Sequence, residues 1–232
     1  MILSNDCFIY DKCKKYNKGE CNLEDNRFCI KLFKLDYLYN ESLLTQNQRR
    51  YIPLRIDADG TDREEFAKLK NIEKDIEKFV NKGSSLYIYS NNCGNGKTAW
   101  SIRLLQAYFN SIWYKCDFSC KGLFINVPKF LLSLKDNISN KSDYIEHIKQ
   151  KVLNCDLVIW DEIGTKVVTE FEHENLLNII NNRIDSNKSN IFTSNLHPEV
   201  LKEVVGERLY SRVINLSTVI EFKGMDKRGI KE

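Results

Sequence analysis

The residues best suited to chemistry are Asn91-Asn92-Cys93-Gly94-Asn95-Gly96-Lys97-Thr98-Ala99. A short apolar and aromatic run, Leu86-Tyr87-Ile88-Tyr89, precedes them, and a run of helical character, Ala99 to Leu105, follows. Strand, glycine-bearing loop, Lys-Thr and helix is the order that a phosphate-binding loop requires. Gly94 and Gly96 let the backbone curl, so that successive N–H groups between Asn92 and Ala99 point at one anion. The start of the helix adds its positive end. Lys97 is placed to reach the β- and γ-phosphates of a nucleotide, and the Thr98 hydroxyl to hold Mg²⁺. The first glycine of the G-x-x-x-x-G-K-[ST] pattern is Asn91 here. Asparagine tolerates positive φ better than most residues, so the turn is expected to survive.

A second group lies downstream. Leu157-Val158-Ile159-Trp160 reads as a strand buried on both faces of a parallel sheet, and it ends in Asp161-Glu162. Carboxylates at the C-terminal end of such a strand sit where α/β sheets carry their sites. Asp161 suits the Mg²⁺ ion and Glu162 the polarising of an attacking water. After one further helix, marked by Leu176, Leu177, Ile180 and Ile184, a strand ends in Thr193-Ser194-Asn195. Asn195 in that place is suited to sensing the γ-phosphate or orienting the water; taken alone, it reads as a helix cap. Arg208 and Arg212 follow, four apart and so on one helix face. Such arginines either stabilise phosphoryl-transfer charge from a neighbouring subunit or form a solvated basic face.

The remaining elements must position these groups. Thr61-x-x-Glu64 has the form of a capping box opening a helix through Phe66, Leu69, Ile72, Ile76 and Phe79, with Gly83 as its stop. Leu123 to Val127 reads as a strand and Pro128 to Asp136 as a helix, with a polar break from Asn137 to Ser142. Val219 to Phe222 supplies a last strand. The fold class is α/β, a central parallel sheet flanked by helices. Formal net charge is +3, which excludes a histone-like basic protein. There is no run of 18 apolar residues and no secretory signal pattern, so a soluble cytoplasmic protein is expected, without a membrane partner.

Four of the eight cysteines, Cys7, Cys13, Cys21 and Cys29, fall in the first 29 residues among polar and charged neighbours. A segment this small buries little apolar area and needs a staple. Four thiolates fit a closed Zn²⁺ site. The spacings of five, seven and seven intervening residues differ from common zinc knuckles, and an iron–sulfur cluster is the second reading. Cys116 and Cys120 read as ordinary thiols and Cys155 as core. Ile30 to Leu44 reads as a helix, and Thr45 to Pro53 is polar. The expected division is a cysteine-rich, metal-stabilised module over 1–45, a linker over 46–60 and a nucleotide-binding domain over 61–232.

With Trp160-Asp-Glu-Ile-Gly164, Thr193-Ser-Asn195 and Glu207-Arg-Leu-Tyr-Ser-Arg212 in this order, the chain resembles the DnaC/DnaI-type helicase loaders. These are AAA+ P-loop ATPases whose group also includes the IstB transposition ATPases. The cysteine-bearing start looks like the version in Gram-positive bacteria and their phages. The resemblance implies an ATPase that binds a hexameric replicative helicase through its N-terminal module and helps place it on single-stranded DNA, self-associating in the loading complex. It makes Arg212 the arginine finger with Arg208 its companion near the nucleotide, and it puts DNA contacts on Thr169 and Phe171. Phe171 reads equally as a core residue at a helix start. Two other functions fit parts of the pattern: an IstB-like helper of transposition, and an adaptor with a vestigial nucleotide site. The cysteine module argues against the first, and intact Lys97, Thr98, Asp161 and Glu162 against the second.

The cysteine assignment has a direct check. Protein made under reducing, metal-replete conditions is expected to carry one Zn²⁺ per chain, lost when Cys7, Cys13, Cys21 or Cys29 is replaced by Ser. Metal analysis that finds neither zinc nor iron overturns it.

Overall fold

The structure, a computed structural model, describes residues 14–21, 27–50, 54, 60–139, 141–165 and 168–227. In chain order its elements are α1 (Lys14–Asn17), α2 (Arg27–Glu41), α3 (Arg63–Lys74), α4 (Ile76–Asn81), β1 (Ser85–Tyr89), α5 (Lys97–Ile112), β2 (Gly122–Asn126), α6 (Val127–Ser139), α7 (Asp143–Asn154), β3 (Leu157–Asp161), α8 (Glu170–Asp185), β4 (Ser189–Ser194), α9 (Pro198–Ile214) and β5 (Ser217–Glu221). Among the described residues the strands form one five-stranded sheet in the order β2-β3-β4-β1-β5. Every pairing is parallel.

Helices cover both faces of the sheet, and β1, β2 and β3 are correspondingly buried, mainly apolar runs, while β5 at the edge is partly exposed. Side chains alternate between the two layers, as strand geometry dictates. Tyr87, Leu123, Ile125, Val158, Trp160 and Phe192 face the layer built by α6 to α9. Leu86, Ile88, Phe124, Ile159, Ile191 and Ile220 face α2 to α5. Polar groups are thereby driven to the strand ends. The register sets Tyr89 beside Ser194 and Asn126 beside Asp161, so the ends of four strands converge on one edge.

Several local expectations are corrected. The helix expected through residues 66–79 is broken at Asp75, whose ψ of 30° separates α3 from α4. Thr61 does not cap it. The N-cap is Asp62, in the left-handed region at φ 64°, with no side-chain capping bond. Its carboxylate instead accepts from the backbone N–H groups of Lys223 and Gly224, so a long-range contact displaces the local motif. The structure adds α7, not identified from the sequence, although Ile145, Ile148 and Val152 carry helical spacing. A true capping box occurs at Thr169 and Glu172, opening α8.

Residues 27–50 pack on the sheet. Leu38 and Leu44 belong to the core with Trp100 and Phe109. The Phe124 N–H donates to Ser42 O at 2.9 Å, Lys151 pairs with Glu41 at 2.7 Å, and Gln106 Nε2 donates to Gln48 O at 3.0 Å. The expected boundary at 45/46 therefore falls inside a packed unit. Cys21 is exposed and Cys29 half-buried; Cys7 and Cys13 lie outside the described residues. Among the described residues no three His, Cys, Asp or Glu side chains are grouped to hold a metal, and no helix is long and apolar enough to cross a membrane.

At the opposite edge of the sheet, Arg183 of α8 is fully buried. Its guanidinium donates to Asn190 Oδ1 at 2.8 Å, Cys155 O at 2.8 Å, Ser189 O at 2.6 Å and Val152 O. One planar fork thus ties the end of α7 and the start of β4 to α8. Arg183→Ala is expected to lose roughly 3–5 kcal/mol in urea unfolding, because several buried acceptors lose their donor at ~1–3 kcal/mol each. An unchanged midpoint would show that the fork carries no stability.

Candidate active site

The loop between β1 and α5 has positive φ at Gly94 (71°) and Gly96 (104°), where the absence of a Cβ removes the strain. Asn91 is not among the positive-φ residues, so its tolerance of that region is not called upon. Gly96 is the N-cap of α5 and Lys97 its first residue. Ser90 Oγ accepts from the Asn92 N–H at 3.0 Å and from Asn95 Nδ2 at 2.6 Å, folding the loop back on the end of β1. The buried Lys97 ammonium donates to Asn92 O at 2.8 Å and Asn95 Oδ1 at 3.2 Å.

Thr98 meets the carboxylate that ends β3. Asp161, buried at 5% exposure, accepts on Oδ1 from both Thr98 Oγ1 (2.8 Å) and Thr193 Oγ1 (2.7 Å). Burial pushes the Asp161 carboxyl above its ordinary value. The two hydroxyls work against that shift and the nearby Glu162 charge adds to it. Glu162 has φ 62°, a backbone conformation uncommon for its type. Its N–H donates to Thr193 Oγ1 at 3.1 Å, and its exposed carboxylate accepts from Asn126 Nδ2 at 2.9 Å. Asn195 follows β4 directly and is not a helix cap, since His197 caps α9.

These groups line one cavity of about 270 Å³, bounded by the loop from Cys93 to Ala99 and by Glu162, Thr193, Ser194 and Asn195. The structure thus brings together Cys93, Gly94, Asn95, Gly96, Lys97, Thr98, Ala99, Glu162 and Asn195, with Asp161 behind Thr98 and Asn92 holding Lys97. It does not bring in the arginines. Arg208, read as near the nucleotide, is exposed and lies 3.8 Å from Glu174. Arg212 is also exposed. Both lie on the part of α9 beyond its kink at Gly206. Thr169 spends its hydroxyl on the α8 cap, accepting from the Glu172 N–H, and Phe171 is 41% exposed and so is not a core residue. Asn126, Thr193 and Ser90 were not singled out from the sequence. A polar residue ending an apolar parallel strand was the available signal for Asn126 and Thr193.

A hydroxyl and a carboxylate 2.8 Å apart, beside a glycine-bearing loop and one lysine, have the donor chemistry that suits phosphate groups and an oxygen-ligated cation. The fold, a five-stranded parallel sheet with this loop between its first strand and the next helix, is shared with solved structures of bacterial replication proteins. The chain belongs to the family described as the bacterial DnaA ATPase domain, which matches residues 64–219. It is similar to the DnaC/DnaI-type loaders: it is 24% identical over 159 residues to the replicative helicase loader DnaC of Escherichia coli K12. That match covers 68% of this chain and 60% of the relative's length. The crystal structure of the DnaC helicase loader superposes with a TM-score of 0.59 at 18% identity, covering 80% of this chain and 98% of that one. Replication initiator DnaA bound to AMPPCP and single-stranded DNA gives 0.56 at 20% identity, covering 73% of this chain and 48% of that one. At these identities the two solved structures speak for the fold.

The raised Asp161 carboxyl has a consequence for stability. The folded chain holds this proton more tightly than the unfolded chain, so stability falls as pH rises from the ordinary 3.8 through the folded value. Above that window the ionised, buried carboxylate exerts its full cost. Asp161→Asn removes it, and the Thr98 and Thr193 hydroxyls can turn to suit the amide. Near neutral pH, without nucleotide or Mg²⁺, the variant is expected to melt above the wild type. The gap should close as pH falls toward the ordinary carboxylate range. A variant that melts below the wild type at neutral pH contradicts the assignment.

Proposed function

We propose that this protein is an ATP-dependent loader of a hexameric replicative DNA helicase onto single-stranded DNA. The observation that carries the nucleotide half is the Thr98–Asp161 hydrogen bond, which joins the phosphate loop to the acid-bearing strand beside Glu162. In this reading Lys97 contacts the β- and γ-phosphates of ATP, and the loop N–H groups from Asn92 to Ala99 cradle them. Thr98 and Asp161 fit Mg²⁺ by donor chemistry, a hydroxyl and a carboxylate. When bound, Mg²⁺ supplies neutralising charge to the phosphates. Glu162 polarises the attacking water, held by Asn126 and by its own N–H, while Asn195 orients that water. Similarity to DnaC supports the helicase half.

Arg212 of one subunit completes the site of the next, with Arg208 beside it. Its exposure supports this role, as does its place beyond the kink of α9. An arginine finger is worth roughly 10³–10⁵-fold in rate. Thr169 and Phe171 meet the DNA strand. The 41% exposed Phe171 ring offers a stacking platform, which tolerates any sequence. The cysteine segment, with Zn²⁺ on Cys7, Cys13, Cys21 and Cys29, meets the helicase.

The test combines binding and turnover. The wild type should bind Mg²⁺-ATP, co-purify with the replicative helicase of its host and stimulate that helicase's assembly on a single-stranded circle. Lys97→Ala should lose ATP binding. Glu162→Gln should retain binding but lose hydrolysis. Mixed with helicase and single-stranded DNA, Arg212→Ala and Lys97→Ala chains should hydrolyse ATP together but not apart. Capture of a transposase in place of a helicase refutes the loader reading. Full activity in a strictly monomeric wild type removes Arg212 from the mechanism.

A further inference from the structure

We infer that Asp62, at the start of α3, is a positioning residue for Lys97, acting through the segment that follows β5; the inference rests on the ATP-binding reading above. Asp62 is 6% exposed, holds a left-handed backbone at φ 64° and does not cap its own helix. Its two carboxylate oxygens are spent on one dipeptide. Oδ1 accepts from the Lys223 N–H at 2.7 Å and Oδ2 from the Gly224 N–H at 2.9 Å. Bonds from N–H groups to an ionised carboxylate are about twice as strong as neutral ones.

The carbonyls of the same two residues hold the phosphate loop. Asn92 Nδ2 donates to Lys223 O and to Gly224 O, each at 3.2 Å, and Asn95 Nδ2 lies 3.5 Å from Gly224 O. Further along, the Lys227 N–H donates to Gly94 O at 3.0 Å. The segment is fastened to α3 at both ends. The Phe222 ring packs on Phe66 at 5.3 Å between centroids, and the Lys227 ammonium lies 5.1 Å above that same Phe66 ring. The two asparagines whose amides are held here are the two whose oxygens hold Lys97, through Asn92 O and Asn95 Oδ1. One carboxylate outside the loop thus fixes the two residues that aim its lysine. A loop pre-set in this way need not be ordered when phosphate arrives, and that saving appears as affinity.

The experiment compares four proteins: wild type, Asp62→Asn, Asn92→Ala/Asn95→Ala, and the triple variant. Asp62→Asn keeps one acceptor and turns an amide toward the other N–H. Its KM for ATP is expected to rise about tenfold, the scale of one charge-assisted hydrogen bond. The kcat at saturation should stay near the wild type, because Glu162, Asn195 and the Thr98–Asp161 pair are untouched. Without nucleotide, hydrogen exchange in residues 91–97 and 222–227 should quicken while α8 and β3 keep their protection. In the asparagine double variant, adding Asp62→Asn should change KM and loop exchange little further. Independent, additive effects would overturn the proposal, as would a kcat loss equal to the KM change or unchanged exchange in residues 91–97 of Asp62→Asn. If the wild type binds no Mg²⁺-ATP, the functional reading fails, and loop exchange in the four proteins still decides whether Asp62 sets the loop.

Discussion

The site depends on one buried oxygen. Asp161 Oδ1 accepts from a hydroxyl of α5 and a hydroxyl of β4, while its own strand is covered on both faces. Three elements distant in sequence therefore share a single acceptor. Burial makes the ionised form costly, and the two hydroxyls return part of that cost. A carboxylate left in this condition is poised to favour a cation. The fold tolerates it because the rest of the strand, Leu157 to Trp160, is wholly apolar and buried.

The two ends of the sheet solve opposite problems. At the N-terminal ends of β3 and β4, Arg183 supplies buried donors to several carbonyls. At the C-terminal ends the strands stop in Asn126, Asp161 and Ser194, and the groups beyond them point into open space. Rigidity at the first end supports precision at the second. A slip between β3 and β4 would move Thr193 away from Asp161 and release both Asp161 and the Glu162 N–H together.

Much of this was legible in the sequence where the signal was local. The loop with its Lys-Thr, the strand ending in Asp161-Glu162 and the strand ending before Asn195 are runs of contiguous residues, and each folds as its spacing implies. Pairing between distant positions was not legible. Nothing beside Asn126 in the chain announces Glu162, which is 36 residues away. Nothing near Thr61 announces that Asp62 will be claimed by residues 223 and 224. There a local capping rule lost to a tertiary contact that satisfies two backbone N–H groups at once. The packing of α2 was hidden for a related reason: its Leu38 and the following Leu44 look like the apolar positions of any amphipathic helix until the sheet they cover is known.

The placement of the arginines gives the last step. Among the described residues, Lys97 is the one cationic side chain that lines the cavity, and it faces a wall carrying Glu162 with Asp161 behind it. A triphosphate brings several further negative charges, and the developing charge of phosphoryl transfer must be met on the side away from the loop. Within the chain, the kink at Gly206 turns the end of α9, and Arg208 there is engaged with Glu174 at the surface. Charge of the needed sign is therefore displayed outward, away from the cavity, as the in-trans role proposed for Arg212 requires. A site short of positive charge and a surface that displays it are complementary halves. Under the proposed function, that complementarity is what would draw one subunit's arginines to the next subunit's cavity.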